Sequence, residues 1–397
     1  MRNSVKHPES WDWLPLSELG SFSKGKGITK ADLQDEGLPC IRYGEIYTHH
    51  HHTVKKPYSF ISREVANNSK KIRFNDLLFA GSGETLEEIG KSVGYRLHEV
   101  TFAGGDIIIL SLAENYRADY IAYYLNSLGR SQLNKLGTGH SIVHIYARDL
   151  EKVIVPIPPK NIQDKIVSTL KKWDTTIEKT KALIDIKELQ FKWLVSRLIN
   201  KSGYQKKQIS NFISEISKRN RGNEIDRVLS VTNHSGFVLP ENQFERRVAS
   251  TNVSNYKIVH KGQYAYNPSR INVGSIARLD KWCNGILSPM YTVFQLNEKV
   301  IDTDYFLHWL SSSEAKQRIK KSAQGSVRET VKFGDLGTIK IHLPELSVQH
   351  NIANKLNTAK KEIDLLTELA NQYSLQKNGL MQKLLSGEWN TRKKEAA

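Results

Sequence analysis

Cysteine is nearly absent from this 397-residue chain: Cys40 and Cys283 stand one in each half, at no metal-ligand spacing. That excludes a disulfide framework or a cysteine-bound zinc ion as the basis of the fold. Long apolar runs are missing too. No stretch approaches the ~20 residues that cross a bilayer, and the polar start around Glu9 and Asp12 lacks the apolar core of a signal peptide. The chain is expected in the cytoplasm, away from membranes. Acidic residues are in deficit, 41 against 58 lysines and arginines, giving a net charge of +17 and a pI near 9.5. A balance so far from zero points to a polyanionic partner.

The excess is uneven. Basic minus acidic residues come to 18 − 17 = +1 over residues 1–150, 11 − 6 = +5 over 151–203, 21 − 12 = +9 over 204–343 and 8 − 6 = +2 over 344–397. The second half is basic throughout. In the first half any anion-binding face must be a local patch.

What the sequence does contain is a segment written twice. Leu150, Pro158, Gln163, Ile166, Leu170, Ile177, Leu183, Leu189, Leu194 and Leu198 return as Leu336, Pro344, Gln349, Ile352, Leu356, Ile363, Leu369, Leu375, Leu380 and Leu384, each 186 residues later. A fixed offset over about fifty residues is an internal duplication. Upstream the repeat is looser. Asp119-Tyr120-Ile121-Ala122-Tyr123-Tyr124-Leu125 returns as Asp304-Tyr305-Phe306-Leu307-His308-Trp309-Leu310 at offset 185, and Gly139 returns as Gly325 at 186. Each half is therefore a body followed by a long helix.

Inside the first body, strand-like runs at Leu77–Ala80 and Asp106–Leu112 alternate with a helical stretch at Asp119–Leu125 and with glycine loops at Gly81–Gly83, Gly104–Gly105 and Gly137–Gly139. Strand-like runs Val153–Pro159 and Ile339–Pro344 end in proline, which stops extended structure and permits a helix to begin. Four- and three-residue steps then carry a seam through Ile166, Leu170, Trp173, Ile177, Thr180, Ile184, Lys187, Phe191, Leu194 and Leu198. Its partner runs through Ile352, Leu356, Ala359, Ile363, Leu366, Ala370, Tyr373, Lys377, Leu380 and Leu384. This is coiled-coil spacing. Forty residues make a rod of roughly 60 Å, longer than such a body can cover, so the two rods are expected to pair, antiparallel. The expected fold is α+β: two pseudo-symmetric mixed α/β domains (1–158 and 204–343) joined by two long helices (159–203 and 344–390) in an antiparallel coiled coil, with a basic, polar tail at 391–397.

Catalytic motifs are incomplete. Phe79-Ala80-Gly81-Ser82-Gly83 matches the F-x-G-x-G loop of adenosylmethionine-dependent methyltransferases, but no Asn/Asp-Pro-Pro-aromatic segment accompanies it, and Asn267-Pro268-Ser269-Arg270 comes nearest. Asp304 with Glu314 and Lys316 has the residue types of a metal-dependent nuclease, yet Glu314 and Lys316 fall in a helical stretch and the first half does not repeat them. His49–His52 has no second ligand cluster, so these histidines are expected on a phosphate-facing loop rather than on a metal.

Residues suited to DNA recur at matched places. The first body offers Lys24, Lys26 and Lys30, then Arg42 and Tyr43, then Lys70, Lys71 and Arg73, and the loop Thr138, His140 and Ser141. The second offers Lys218, Arg219 and Arg221, then Arg246 and Arg247, then Asn267, Ser269, Arg270 and Asn272, and Ser326 with Arg328. Variable loops on a retained frame are what a specificity module shows.

On these features the sequence resembles the specificity subunits of type I restriction-modification systems. The resemblance rests on the opening Trp13-Leu14-Pro15-Leu16-Ser17-Glu18-Leu19-Gly20, on Ile157-Pro158-Pro159 followed by Gln163, on Tyr266–Gly274 and on the closing Met381–Trp389, all within the duplicated plan. It implies two target-recognition domains, each reading half of a split site in double-stranded DNA. It also implies assembly with two modification subunits that use adenosylmethionine and with restriction subunits that use ATP and Mg²⁺. This chain would itself bind no cofactor and catalyse nothing. The near-neutral first body departs from a uniformly basic reader. Rival readings are a stand-alone methyltransferase or nuclease, and a coiled-coil adapter without a DNA role.

DNA advances about 34 Å per ten base pairs, so a rod of this length suits two readers more than one turn apart. Deleting one heptad from each helix is expected to change the spacer and leave both half-sites unaltered, as methylome sequencing would show.

Overall fold

A computed structural model describes residues 8, 11–139, 141–199, 203–239, 252–323 and 330–389. The fold is α+β, and contacts divide the chain into two units, residues 1–179 with 370–397, and residues 180–369.

In the first unit the central strand is Asp76–Ala80, five consecutive buried residues. It lies in a sheet ordered Gly20–Lys24, Ile107–Leu112, Asp76–Ala80, Ser92–Tyr95, Thr53–Val54, antiparallel except for the last pairing. Alternate side chains point to opposite faces. Leu77 and Phe79 therefore join the core with Tyr120, Leu170 and Leu384, while Leu78 and Ala80 join a second core with Val93, Tyr95 and Ile109. Burial on both faces explains the unbroken apolar run in the sequence. A second sheet is ordered Leu33–Gln34, Ser59–Ile61, Leu38–Ile41, Thr101–Ala103, Lys70–Ile72.

The second unit repeats the plan with shorter strands. Its sheet is ordered Ile213–Ile216, Thr292–Leu296, Tyr264–Tyr266, Ile276–Arg278, and Tyr264 and Tyr266 face one core while Ala265 faces the other. Lys257–His260 pairs antiparallel with Asn284–Leu287, as Lys70–Ile72 does with Thr101–Ala103.

The long helices span Lys160–Ile199 and Leu346–Leu385, forty residues each. Their pairing is antiparallel: in the first unit Asp174 meets Lys377 and the Trp173 ring lies edge-on to Tyr373, and in the second Lys187 meets Glu362. All twenty seam positions are buried or half-buried. Gly387, at φ +75°, turns the chain after the second helix, and a Cβ there would lie 2.2 Å from Pro8 Cδ.

The same device fastens body to helix in both units. Gln163 is 1% exposed. Its Oε1 accepts from the Arg117 amide at 2.9 Å, and its Nε2 donates to the carbonyls of Pro158 at 2.9 Å and Asn115 at 3.3 Å. Gln349 is fully buried; it accepts from the Asp302 amide at 2.8 Å and donates to Pro344 at 2.8 Å and Val300 at 3.1 Å. Tyr120 donates to the Pro156 carbonyl at 2.9 Å, and Tyr305 to that of His342 at 3.0 Å. Each glutamine satisfies main-chain groups that would otherwise be orphaned in a dry interior. Gln163→Leu, which keeps the volume and removes all three bonds, is expected to cost about 2–4 kcal/mol in denaturant unfolding. Lys165→Ala on the exposed face should stay within about 0.5 kcal/mol of wild type.

Candidate nucleic-acid interface

The two recurring glycine loops are far apart in sequence, yet each body joins its pair. In the first, the Gly81 carbonyl accepts from the Ile145 amide at 3.0 Å, Ser82–Gly83 pairs with Val143–His144, and Ser82 Oγ lies 3.0 Å from His144 Nδ1. Thr138 is held by two main-chain bonds to His144. Thr138 and Ser141 are left exposed beside Ile142, and Arg148 covers the exposed Tyr146 ring. In the second, the Pro268 carbonyl accepts from the Val331 amide at 3.0 Å, so the loop beginning at Asn267 adjoins the segment after residue 329. His140, Ser326 and Arg328 lie outside the described residues, as do Arg246 and Arg247.

Basic residues converge on strand Thr101–Ala103. Ala103 is the register partner of Lys70 on one side and of Ile41, next to Arg42, on the other, and its carbonyl accepts from the Lys26 amide. Lys24, Lys26, Lys30, Lys70, Lys71 and Arg73 are exposed, and Arg42 and Tyr43 are half-buried. Lys70, Lys71 and Arg73 also rim a hollow of about 550 Å3, on whose wall Phe74 stacks on His98. The second body repeats the meeting: the Ile258 amide donates to Lys218, and Arg219 Nη1 donates to the Asn255 carbonyl at 2.6 Å. Lys218 and Arg221 are exposed, as are Ser269 and Arg270; Asn267 and Asn272 are half-buried.

Residues with catalytic potential have structural occupations. The Gly81 amide donates to Asp106, and a Cβ at Gly83 would lie 2.8 Å from Tyr47 Oη, so this glycine loop serves packing. Asp119 is fully buried. Burial opposes its ionisation, but bonds from Arg117 and the charge of Lys171 prevail and hold its carboxyl below the usual range. Asp304, its counterpart, is likewise lowered because Arg278 and Asn357 outweigh burial. Glu314 pairs with Arg318. Among the described residues no three His, Cys, Asp or Glu side chains are grouped to hold a metal, and no helix is long and apolar enough to cross a membrane.

The profile of the type I restriction modification DNA specificity domain matches residues 8–188 and 247–373. The chain belongs to this family. It is 27% identical over 188 residues to the type I restriction enzyme StySPI specificity subunit of Salmonella potsdam, a match spanning 46% of this chain and 40% of that protein. With the MjaVIII specificity subunit of Methanocaldococcus jannaschii it shares 22% identity over 416 residues, covering 97% and 94%. The fold resembles the crystal structure of a type I restriction-modification system S subunit from M. genitalium, with TM-score 0.59, 16% identity and 97% of both chains covered.

The tract His49–His52 is only partly open to solvent, with His49 and His51 exposed, His50 buried and His52 half-buried. It packs against the first long helix, lining a cavity of about 400 Å3 with Tyr123, Asp174 and Glu178. His52 stacks on Tyr123, which donates to Asp174, and Lys55 pairs with Glu178. His50 is 2% exposed and its Nε2 has no hydrogen-bond partner among the described residues. Burial, reinforced by His49 and Lys91, lowers its pKa to about 4, and burial beside Lys377 lowers that of His52 to about 3. Neutral rings offer a phosphate no charge. Because both folded values lie below the unfolded value of about 6.5, the stability they confer is complete above pH 6.5 and is lost as pH falls towards 4. On going to about pH 5 the wild type should lose up to about 2 kcal/mol more than His50→Gln, measured by denaturant unfolding at each pH.

Proposed function

We propose that this chain is the DNA-specificity subunit of a type I restriction-modification complex, each body reading one half of a bipartite target in double-stranded DNA. One contrast carries the reading. The fastenings between body and helix are the same in both units, down to the atoms that Gln163 and Gln349 engage, whereas the matched loops differ: Gly81-Ser82-Gly83-Glu84 in the first against Asn267-Pro268-Ser269-Arg270 in the second. Identical mounting with divergent loops suits two readers of different sequences on a common frame.

In this reading the chain catalyses nothing and holds no cofactor. Two modification subunits bring adenosylmethionine and dock on the two similar helix regions, and restriction subunits bring ATP and Mg²⁺. The exposed lysines around Ala103 and Ile258 hold phosphates, which fix register without reading sequence. Electrostatic binding of this kind releases counterions.

Affinity of the full chain for duplex DNA is therefore expected to fall steeply with salt, with a log–log slope of about −0.9 per phosphate contacted. Cells carrying the chain with its modification partners should show adenine methylation at one bipartite motif. Methylation or cleavage by the purified chain alone would favour an enzyme, and weak, salt-independent binding would favour an adapter.

A further inference from the structure

We propose that the turn Asn267–Gly274 and the hairpin tip at Asn233 form the base-reading edge of the second body, with Arg270 taking the major-groove edge of a guanine and Asn233 reading the adjacent base. The inference deepens the proposed function and rests on it.

Arg270 sits on a rigid pedestal. Its amide donates to Asn267, its carbonyl accepts from both Val273 and Ser275, and the turn closes with the Asn267 amide donating to Ser275. Ile271 is sunk in the core, and Gly274 reverses the chain at φ +97°. Every main-chain polar group of Arg270 is thus used inside the turn, while its exposed guanidinium has no partner among the described residues. Four other arginines of this unit differ: Arg219, Arg227, Arg278 and Arg318 are each bonded to protein atoms. Arg221 is exposed as well, with the exposed Asn223 two residues on.

Beside Arg270 the hairpin Ser230–Thr232/Gly236–Val238 brings up Asn233. The tip is pinned, since the Ser235 amide donates to Thr232 Oγ1 at 3.0 Å and buried Ser275 Oγ donates to the Val231 carbonyl at 2.7 Å. Asn233 Cβ comes within 3.7 Å of where a Gly274 Cβ would stand. Its carboxamide is exposed and also without a partner among the described residues. Between the two lies a hollow of about 110 Å3 edged by Ser230, Thr232, Asn267 and Ser275.

An unpaired guanidinium fork and an unpaired carboxamide, held side by side on fixed main chain, are the two groups that read bases bidentately: Arg at guanine O6 and N7, Asn at adenine N6 and N7. A phosphate contact needs charge without orientation. A base reader needs its backbone fixed before DNA arrives.

The test is methylated-adenine sequencing of cells carrying the full chain with its modification partners. With Arg270→Ala, one G·C position in one half-site should become degenerate, losing about ten- to a hundredfold discrimination, while the other half-site stays intact. Arg270→Lys keeps the charge without the fork and should relax the same position. Asn233→Ala should relax the neighbouring one. A motif unchanged in all three variants, uniform loss of methylation at every site, or full specificity in Arg270→Lys would overturn the inference while leaving the proposed function standing. A wild-type chain that directs no bipartite motif would sink both.

Discussion

The junction between body and helix depends on a buried glutamine amide. The carbonyl of Pro158 or Pro344 just ahead of each helix, and an amide and a carbonyl of the body loop it abuts, need partners in a buried junction. Gln163 and Gln349 answer both demands, because a carboxamide is a donor and an acceptor on one rigid plane. No apolar residue could do so, and a carboxylate would bring charge into a site with almost no solvent. The angle at which each body leaves its helix follows from these bonds, with Tyr120 and Tyr305 adding one further bond apiece.

From that mounting the rest follows outward. Each body is built on a strand buried on both faces, so the sheet is a wall between two cores and tolerates little change. Its loops meet in pairs and are tied by main-chain bonds, which are indifferent to side-chain identity. Side chains on those loops can then vary at small cost in stability, as the loop at Gly81–Glu84 against that at Asn267–Arg270 shows.

Much of the frame was legible in the sequence because it rests on periodicity and repetition. The seam from Ile166 to Leu198 is visible in its steps, and the paired offset showed that both helices obey one constraint. The candidate interface was legible only by residue type. Composition selects Lys24 and Arg219 alike, but Arg219 spends its guanidinium on a backbone carbonyl and Lys24 is exposed. Composition passes over Asn233, a neutral residue in a polar turn. It also misses the division within His49–His52: His49 and His51 are exposed, but His50 packs beside Tyr58, His52 stacks on Tyr123, and burial keeps these two rings uncharged.

By itself the sequence determined the duplication, the two bodies and the long helices, because each is written in local spacing that survives without knowledge of what touches what. Tertiary structure alone decided which glycine loops meet, which acids are silenced by an arginine or lysine, and which charged side chains remain free. Those outcomes depend on contacts between residues dozens of positions apart, Gly81 with Ile145 and Pro268 with Val331 among them, and no local pattern encodes such a meeting.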